Sequence, residues 1–454
     1  MSFYTKCENT TGCGGGGVTD QMKSKFSEID VHEYLYSRGL EALTEDEPDE
    51  VQAFPVDGDE EERGFELWRL IKFQAVSKIR RTHESMRYGE FIGSKVKLPT
   101  DKTQPMELDL LGSYDDGLFV LELKVDKSAE RNAFSELFAY SNYIAEMFAL
   151  SGQKDITNVL VANLGAKITR NAFLYDLLIA DRNIIVYTPE FATKDVTSLR
   201  LKLYLPSDDD FKQFTNQLLS HEAMQCVVLS FEDIPGWIDS EEKDGSLREY
   251  TVEHLEAIGC FAAQLMEAEG LHGFCFVRKP WREIPRYYRN SLIVCAVNPF
   301  LTIEEERATA ICAQLDENGI SELFERPQSG FRGRLIRLAQ RVFNDTLKDG
   351  CHYEFDSPDW SAMVNSFIEV VSTHNFGFHP TGLFRESYVS HINAQYANDN
   401  GADLSMLKIE EISNWLKAWM FMEGCGLAGN NQEDDAEDED EAEGIDESGD
   451  DFDS

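Results

Sequence analysis

The chain reads MELDLLGSYDDGLFVLELKV at positions 106–125. Its two ends are rich in Leu, Val and Phe, which suit a pleated strand, while positions 114–117 supply Asp and Gly for a tight turn. The pattern predicts an antiparallel β-hairpin. A three-residue loop with a bulge is the alternative that would change the pairing.

Two pairing registers fit this hairpin. A loop at positions 116–117 places Asp109 opposite Lys124, whereas a loop that begins one residue earlier places Asp109 opposite Glu122. Because side chains alternate along a strand, the two acids and the lysine lie on one face in either register.

Acidic side chains on a shared, largely buried face imply a cation, because neighbouring carboxylates repel each other. Oxygen ligands favour Mg2+ or Mn2+, which position an attacking water and stabilise charge on a scissile phosphate. Lys124 is placed to orient or help deprotonate that water. The alternative is a surface hairpin whose charged residues face solvent.

The flanking sequence predicts the rest of an α/β layer. Apolar residues recur at helical spacing in 62–86 and 127–150, on either side of the hairpin. Continuous apolar runs at 157–163 and 183–188 predict buried strands, with a helix over 169–180 between them. We therefore expect a mixed sheet with helices on its faces.

With these elements, the stretch from about 62 to 205 resembles the PD-(D/E)xK superfamily, whose fold is restriction-endonuclease-like, and most of all its RecB-type and archaeal mismatch-endonuclease branches. The residues that carry the resemblance are Asp109, Glu122, Leu123 and Lys124, with Leu108 in place of the Pro in the family's name. The resemblance implies that Asp109 and Glu122 bind Mg2+ or Mn2+, with the Leu123 carbonyl as a further ligand.

The resemblance also implies further site residues. Glu136 and Tyr140 lie one turn apart on the helix after the hairpin, where such branches carry Gln or Glu followed by Tyr. A Glu on the first helix is expected as well. Glu66 is our preferred candidate, and Glu84 and Glu90 compete with it; each also fits an ordinary solvated side chain.

The chain is long enough for several domains, with 454 residues and 42% hydrophobic content. The expected domains are a flexible amino-terminal segment and acidic linker (1–60), a nuclease-like domain (61–205), a mixed α/β to mostly helical recognition or regulatory domain (206–429), and a disordered acidic tail (430–454). A short helical piece is predicted within the first of these, at 31–43.

The formal net charge of -41 is unusual for a protein that would grip a polyanion. The last 22 residues, 433–454, contain 14 acidic and no basic side chains, which leaves 69 acidic against 42 basic residues elsewhere. A nucleic-acid path therefore has to be a local basic stripe.

Two stripes are candidates for nucleic-acid contact. The first interleaves cations with aromatic rings, which suits single strands or bases: Arg278, Lys279, Trp281, Arg282, Arg286, Tyr287 and Arg289. The second has helical spacing: Arg334, Arg337 and Arg341. In the alternative, the aromatic rings pack on the core and the cations pair with the abundant acids or face solvent.

The remaining sequence features indicate where in the cell the protein is expected to lie. Nine cysteines without a Cys-x-x-Cys pair, no apolar run of membrane-spanning length and no secretory signal predict a cytoplasmic protein without membrane association. His374 and His379 frame the tetrapeptide Asn-Phe-Gly-Phe and are predicted to cap a loop, with a zinc site disfavoured.

These observations lead to one leading hypothesis and two rivals. The first is a Mg2+-dependent nuclease, with DNA favoured over RNA, in genome defence or DNA repair. The second is an inactive nuclease-fold binding protein that acts through its carboxy-terminal domain. The third is an acidic decoy whose tail occupies basic sites on a partner. A protein partner for that domain or the tail, and a homo-oligomer, are further expectations.

Overall fold

The computed structural model describes residues 26–45, 67–99, 106–125, 130–148, 151–152, 154–218, 221–281, 290–303, 305–346, 352–367, 373–397, 418–419 and 421–423. The chain divides into two compact units. Unit 1 comprises 1–46, 82–176 and 181–204, and unit 2 comprises 47–81, 177–180 and 205–454. The described part of each unit contains one β-sheet. The prediction of an α/β protein with a mixed, helix-flanked sheet is confirmed.

The first ten elements carry the chain to residue 203. They are α1 Glu28–Arg38, α2 Leu67–Arg87, β1 Glu90–Leu98, β2 Met106–Tyr114, β3 Gly117–Lys124, α3 Glu130–Ala145, β4 Ile156–Ala162, α4 Lys167–Leu178, β5 Ile184–Phe191 and β6 Leu199–Leu203.

The sheet of unit 1 has the strand order β1-β2-β3-β4-β5-β6. Strands β1 to β3 are antiparallel, β3 to β5 are parallel, and β6 returns antiparallel to β5. A parallel pair requires a crossover, and α3 provides it between β3 and β4 and packs on both. Every residue of β4 is buried, which explains its mostly apolar sequence; Thr157 and Asn158 are the polar exceptions.

Helix α1 begins at a capping box in which Ser27 and Asp30 bond to each other's backbone amides. It buries Val31 and Leu35 on one face and stops at Gly39, whose φ of +76° suits a residue without a Cβ. The helix predicted at 31–43 was therefore wrong at both ends.

Unit 2 is built around an antiparallel sheet with the strand order β10-β7-β9-β8-β11. Its elements are α5 Asp208–Leu218, β7 Met224–Phe231, α6 Glu249–Ala268, β8 Gly273–Pro280, β9 Asn290–Val297, α7 Glu305–Cys312, α8 Glu317–Thr346, β10 Tyr353–Asp356, α9 Trp360–Phe367, β11 Thr373–Thr381 and α10 Gly382–Ala397. Helices α6 and α8 pack on each other and on the central strands around a common apolar core.

Two predictions for unit 2 were wrong. The segment with His374 and His379 is not a loop but strand β11, which pairs with β8 around a bulge. The sequence pattern predicts a helix that begins at Arg332, but helix α8 begins at Glu317 and contains Pro327. A further helix is predicted from residue 409, and its described part, residues 418–419 and 421–423, is helical. None of the described helices combines the length and the apolar character that a membrane crossing requires.

Candidate metal centre

The β2–β3 hairpin brings the predicted acids together. In its backbone pairing, Tyr114 lies opposite Gly117 next to the turn, and Leu110 lies opposite Leu121 at the other end. This is the second of the two registers, and by its continuation Asp109 faces Glu122. Gly117 closes the turn with a φ of +150°, a conformation that favours glycine.

A tight contact across the hairpin fixes this register. Gly112 pairs directly with Phe119, whose ring is fully buried. A Cβ at position 112 would collide with that ring. The pairing of a residue without a side chain and a large ring therefore specifies how the two strands align.

Asp109 is held by contacts to three elements. Its side chain is buried, with the Leu123 N–H donating to Oδ2 at 2.9 Å and the Lys95 ammonium 2.5 Å from Oδ1. Its backbone carbonyl accepts from His32 Nε2 on α1 at 3.1 Å. The carboxylate is thus fixed in position and neutralised by one cation.

Glu122 is only 3% exposed. Oε1 accepts from the Lys124 ammonium at 2.6 Å, but Oε2 is buried without a hydrogen-bond partner among the described residues. Burial, and then the negative charge of Asp109, raises the pKa of Glu122 to about 8. Among the described residues, no donor or cation is bonded to Oε2.

Lys124 joins Glu122 to the following helix, because its ammonium lies 2.8 Å from Oε2 of Glu136 on α3. Burial alone would lower the pKa of Lys124, but its hydrogen bonds to the two acids outweigh burial and raise it. One turn later, burial and then the charges of Glu122 and Glu136 raise the pKa of Tyr140 to about 12. The predicted set of Asp109, Glu122, Lys124, Glu136 and Tyr140 is therefore one cluster.

A further acid, Glu28, comes from the first residue of α1. It accepts a hydrogen bond from the Val125 backbone; burial raises its pKa, the charge of Lys124 opposes this, and the charge of Asp109 adds to it. Sequence reasoning missed Glu28, although the capping box around it marks a helix start.

Of the three predicted first-helix acids, the two that the structure describes do not join the cluster. Glu66 lies outside the described residues, and Glu84 and Glu90 are exposed. Glu28, on the first helix of unit 1, is an acid that does interact with the cluster.

The predicted basic stripe of unit 2 is largely buried where it is described. Arg278 and Lys279 are buried in β8, and the Lys279 ammonium lies 2.5 Å from Asp233. Trp281 is 40% exposed. The other four residues lie outside the described residues: Arg282, Arg286, Tyr287 and Arg289. Burial favours the packing alternative for Arg278 and Lys279, while contact at Trp281 stays a prediction.

The arginines of α8 do not form one free stripe. Arg334 is paired with Glu269 at the end of α6 at 2.8 Å, which ties the two helices together. Arg337 is exposed, and Arg341 is exposed with Asp345 3.6 Å away. The described geometry thus gives Arg334 a structural role.

The cluster of unit 1 brings two buried carboxylates together. Among the described residues, no group of three or more His, Cys, Asp or Glu side chains is arranged to hold a metal ion. Asp109 and Glu122 supply two buried carboxylates, one with a vacant oxygen. Comparison of the chain with protein-family models, with curated proteins and with solved structures finds no match.

Proposed function

We propose that unit 1 is a Mg2+-dependent nuclease, in which Mn2+ can substitute, built on a PD-(D/E)xK, restriction-endonuclease-like core. One observation carries the proposal: Glu122 Oε2 is buried beside Asp109 without a donor. An unsatisfied buried oxygen is costly, and a divalent cation would satisfy it and remove the repulsion between the two acids.

The chain's own groups fit such an ion. Asp109 and Glu122 would hold it, with Glu28 close by. The Leu123 N–H bonds to Asp109, and since the N–H and C=O of one strand residue point to the same side, the Leu123 carbonyl faces the β2 edge as well. A bound Mg2+ supplies charge stabilisation at the scissile phosphate and positions the attacking water.

The other residues have separable tasks. The raised pKa of Lys124 keeps it a cation, which favours orienting water and neutralising phosphate charge over accepting a proton. Glu136 holds the ammonium in place from α3. Tyr140 remains a neutral phenol at physiological pH and is able to donate a hydrogen bond. The substrate is nucleic acid, with DNA favoured, and the setting is genome defence or repair.

Nuclease activity is tested by incubating the purified chain with labelled single- and double-stranded DNA and RNA in Mg2+, Mn2+ or EDTA. We expect cleavage with either metal and none in EDTA. Asp109→Asn and Glu122→Gln should each lower turnover by about 100-fold or more, because each removes a charged oxygen from the metal site.

Glu90→Gln is the matched control, because Glu90 is an exposed acid in the same sheet. It should cleave like the wild type. Full activity of both site variants, or metal-independent cleavage, would show that the Asp109–Glu122 pair is not the reactive centre.

A second candidate function is a nucleic-acid-binding or regulatory protein that has the fold without turnover. It is favoured by the lysines that already neutralise both acids, Lys95 on Asp109 and Lys124 on Glu122. Binding of the same oligonucleotides without cleavage in either metal would support this function, with unit 2 selecting the nucleic acid or a protein partner.

A further inference from the structure

Lys95 has an unusual backbone for a residue inside a strand. Its φ is +50°, in the left-handed region, and among the described residues other than glycine only Asp181 shares a positive φ. Lysine lacks the short polar side chain that lets Asn or Asp adopt this conformation easily. Strain of this kind persists where the surrounding structure holds it, and it concentrates at functional sites.

The strand register explains what this backbone holds in place. Ser94 pairs with Leu110 and Val96 with Leu108, so no residue is inserted around Lys95 and it faces Asp109. Its ammonium lies 2.5 Å from Oδ1 of that carboxylate. The strained position thus directs a cation onto a proposed metal ligand.

The two lysines of the cluster differ in how they are held. The Lys124 side chain is 14% exposed and bonds to two acids, Glu122 and Glu136. The Lys95 side chain is 39% exposed and pairs with Asp109, which is 6% exposed. Lys95 therefore lies on the solvent side of the acids, where a phosphate would approach. Its ammonium is paired with one acid, whereas that of Lys124 is paired with two.

We propose that Lys95 is an exchangeable counter-ion: it holds Asp109 when no metal is bound, and it contacts the scissile phosphodiester once a divalent ion takes Asp109. The proposal rests on the proposed nuclease function. A divalent ion repels the ammonium from Asp109, and the incoming phosphate is the nearest new anion that a lysine on the solvent side can bind.

This role predicts opposite effects on metal binding and on cleavage. Lys95→Asn removes the charge with a residue that tolerates left-handed backbone. Loss of the competing cation should lower the Mn2+ concentration at half-maximal thermal stabilisation by about threefold. Loss of the phosphate contact should lower turnover at saturating Mn2+ by about tenfold, and Lys95→Arg should restore most of it.

The experiment measures Mn2+-dependent melting shifts first, without nucleic acid, and then cleavage of whichever labelled DNA or RNA oligonucleotide the wild type cuts. Lys97→Asn is the matched control, an exposed lysine two residues along the same strand. It should match the wild type in both measurements.

The outcomes separate the two proposals. If the wild type binds Mn2+ and cleaves while Lys95→Asn leaves both unchanged, the counter-ion role is wrong. Tighter Mn2+ binding with unchanged cleavage overturns the phosphate contact, and slower cleavage with unchanged Mn2+ binding overturns the exchange. A wild type that neither binds Mn2+ nor cleaves removes the nuclease function, and this inference with it.

Discussion

Each unit contains a lysine–carboxylate pair with one deeply buried member, Glu122 in unit 1 and Lys279 in unit 2, and the two pairs differ in how their acids are satisfied. In unit 1 the Lys124 ammonium lies 2.6 Å from Glu122, and in unit 2 the Lys279 ammonium lies 2.5 Å from Asp233. Asp233 also accepts from Asn290 at 2.9 Å and from Ser240 at 2.6 Å, so both its oxygens have donors.

The pKa values of the two acids move in opposite directions. Burial alone would raise the pKa of Asp233, but the donors from Lys279, Ser240 and Asn290 outweigh it and lower the pKa. The pKa of Glu122 is instead raised to about 8 by burial and then by the charge of Asp109, which the hydrogen bond from Lys124 does not outweigh. Burial, a neighbouring acid and the number of donors, and not the presence of a lysine alone, account for the opposite directions of the two pKa shifts.

The largest effect on stability is expected in unit 2. Asp233→Ala leaves the 4%-exposed Lys279 ammonium without its carboxylate, which should lower the free energy of unfolding by about 3–5 kcal/mol. Urea unfolding measures this loss. Lys154→Ala removes an exposed ion pair with Asp181 and should cost less than about 1 kcal/mol. Equal losses of unfolding free energy in the two variants would mean that the Lys279–Asp233 pair stabilises the fold no more than an exposed ion pair.

The next effect is pH-dependent and belongs to Glu122. Because its folded pKa is raised above the ordinary 4.5, its contribution to stability is present below that pH and is lost as pH rises through about 8. Glu122→Gln lacks this loss. In the absence of divalent metal it should gain about 2–4 kcal/mol over the wild type between about pH 5 and about pH 9.

Urea unfolding in EDTA at several pH values checks this prediction. A constant difference between the wild type and Glu122→Gln across the range would show that Glu122 ionises normally, and the comparison with Asp233 would fail.

The smallest effect on stability is expected for Lys124→Met. Near pH 6, below its pKa of about 8, Glu122 already carries a proton, so loss of the Lys124 cation leaves no uncompensated charge on it and the free energy of unfolding should change by about 1 kcal/mol or less. Turnover should still fall by about tenfold or more, with Mn2+ binding nearly unchanged, because the ammonium acts on water and phosphate. A loss of Mn2+ affinity equal to the loss of turnover would contradict this role.

The sequence predicted the part of the site that local alternation controls. Period-2 alternation placed Asp109, Glu122 and Lys124 on one face, and the family resemblance added Glu136 and Tyr140. It left two registers open, because the choice depends on how Gly112 packs against Phe119 and not on turn composition alone.

The residues that were missed reach the site over long chain distances. Glu28 precedes Asp109 by 81 positions, and no local pattern links them, so the nearer Glu66 was preferred. Lys95 lies in β1, whose exposed and half-buried residues do not alternate cleanly. In α8, Pro327 disfavours a helix interior, and tertiary packing overrides this preference.

The contact between Gly112 and Phe119 sets the alignment of β2 and β3, and the positions of Asp109 and Glu122 depend on that alignment. Sliding one strand by two residues preserves which face each side chain occupies but moves Glu122 by about 7 Å relative to Asp109. A substitution at one of the acids, by contrast, changes a single group of the cluster. A larger residue at position 112 would separate all of them at once without altering any charge.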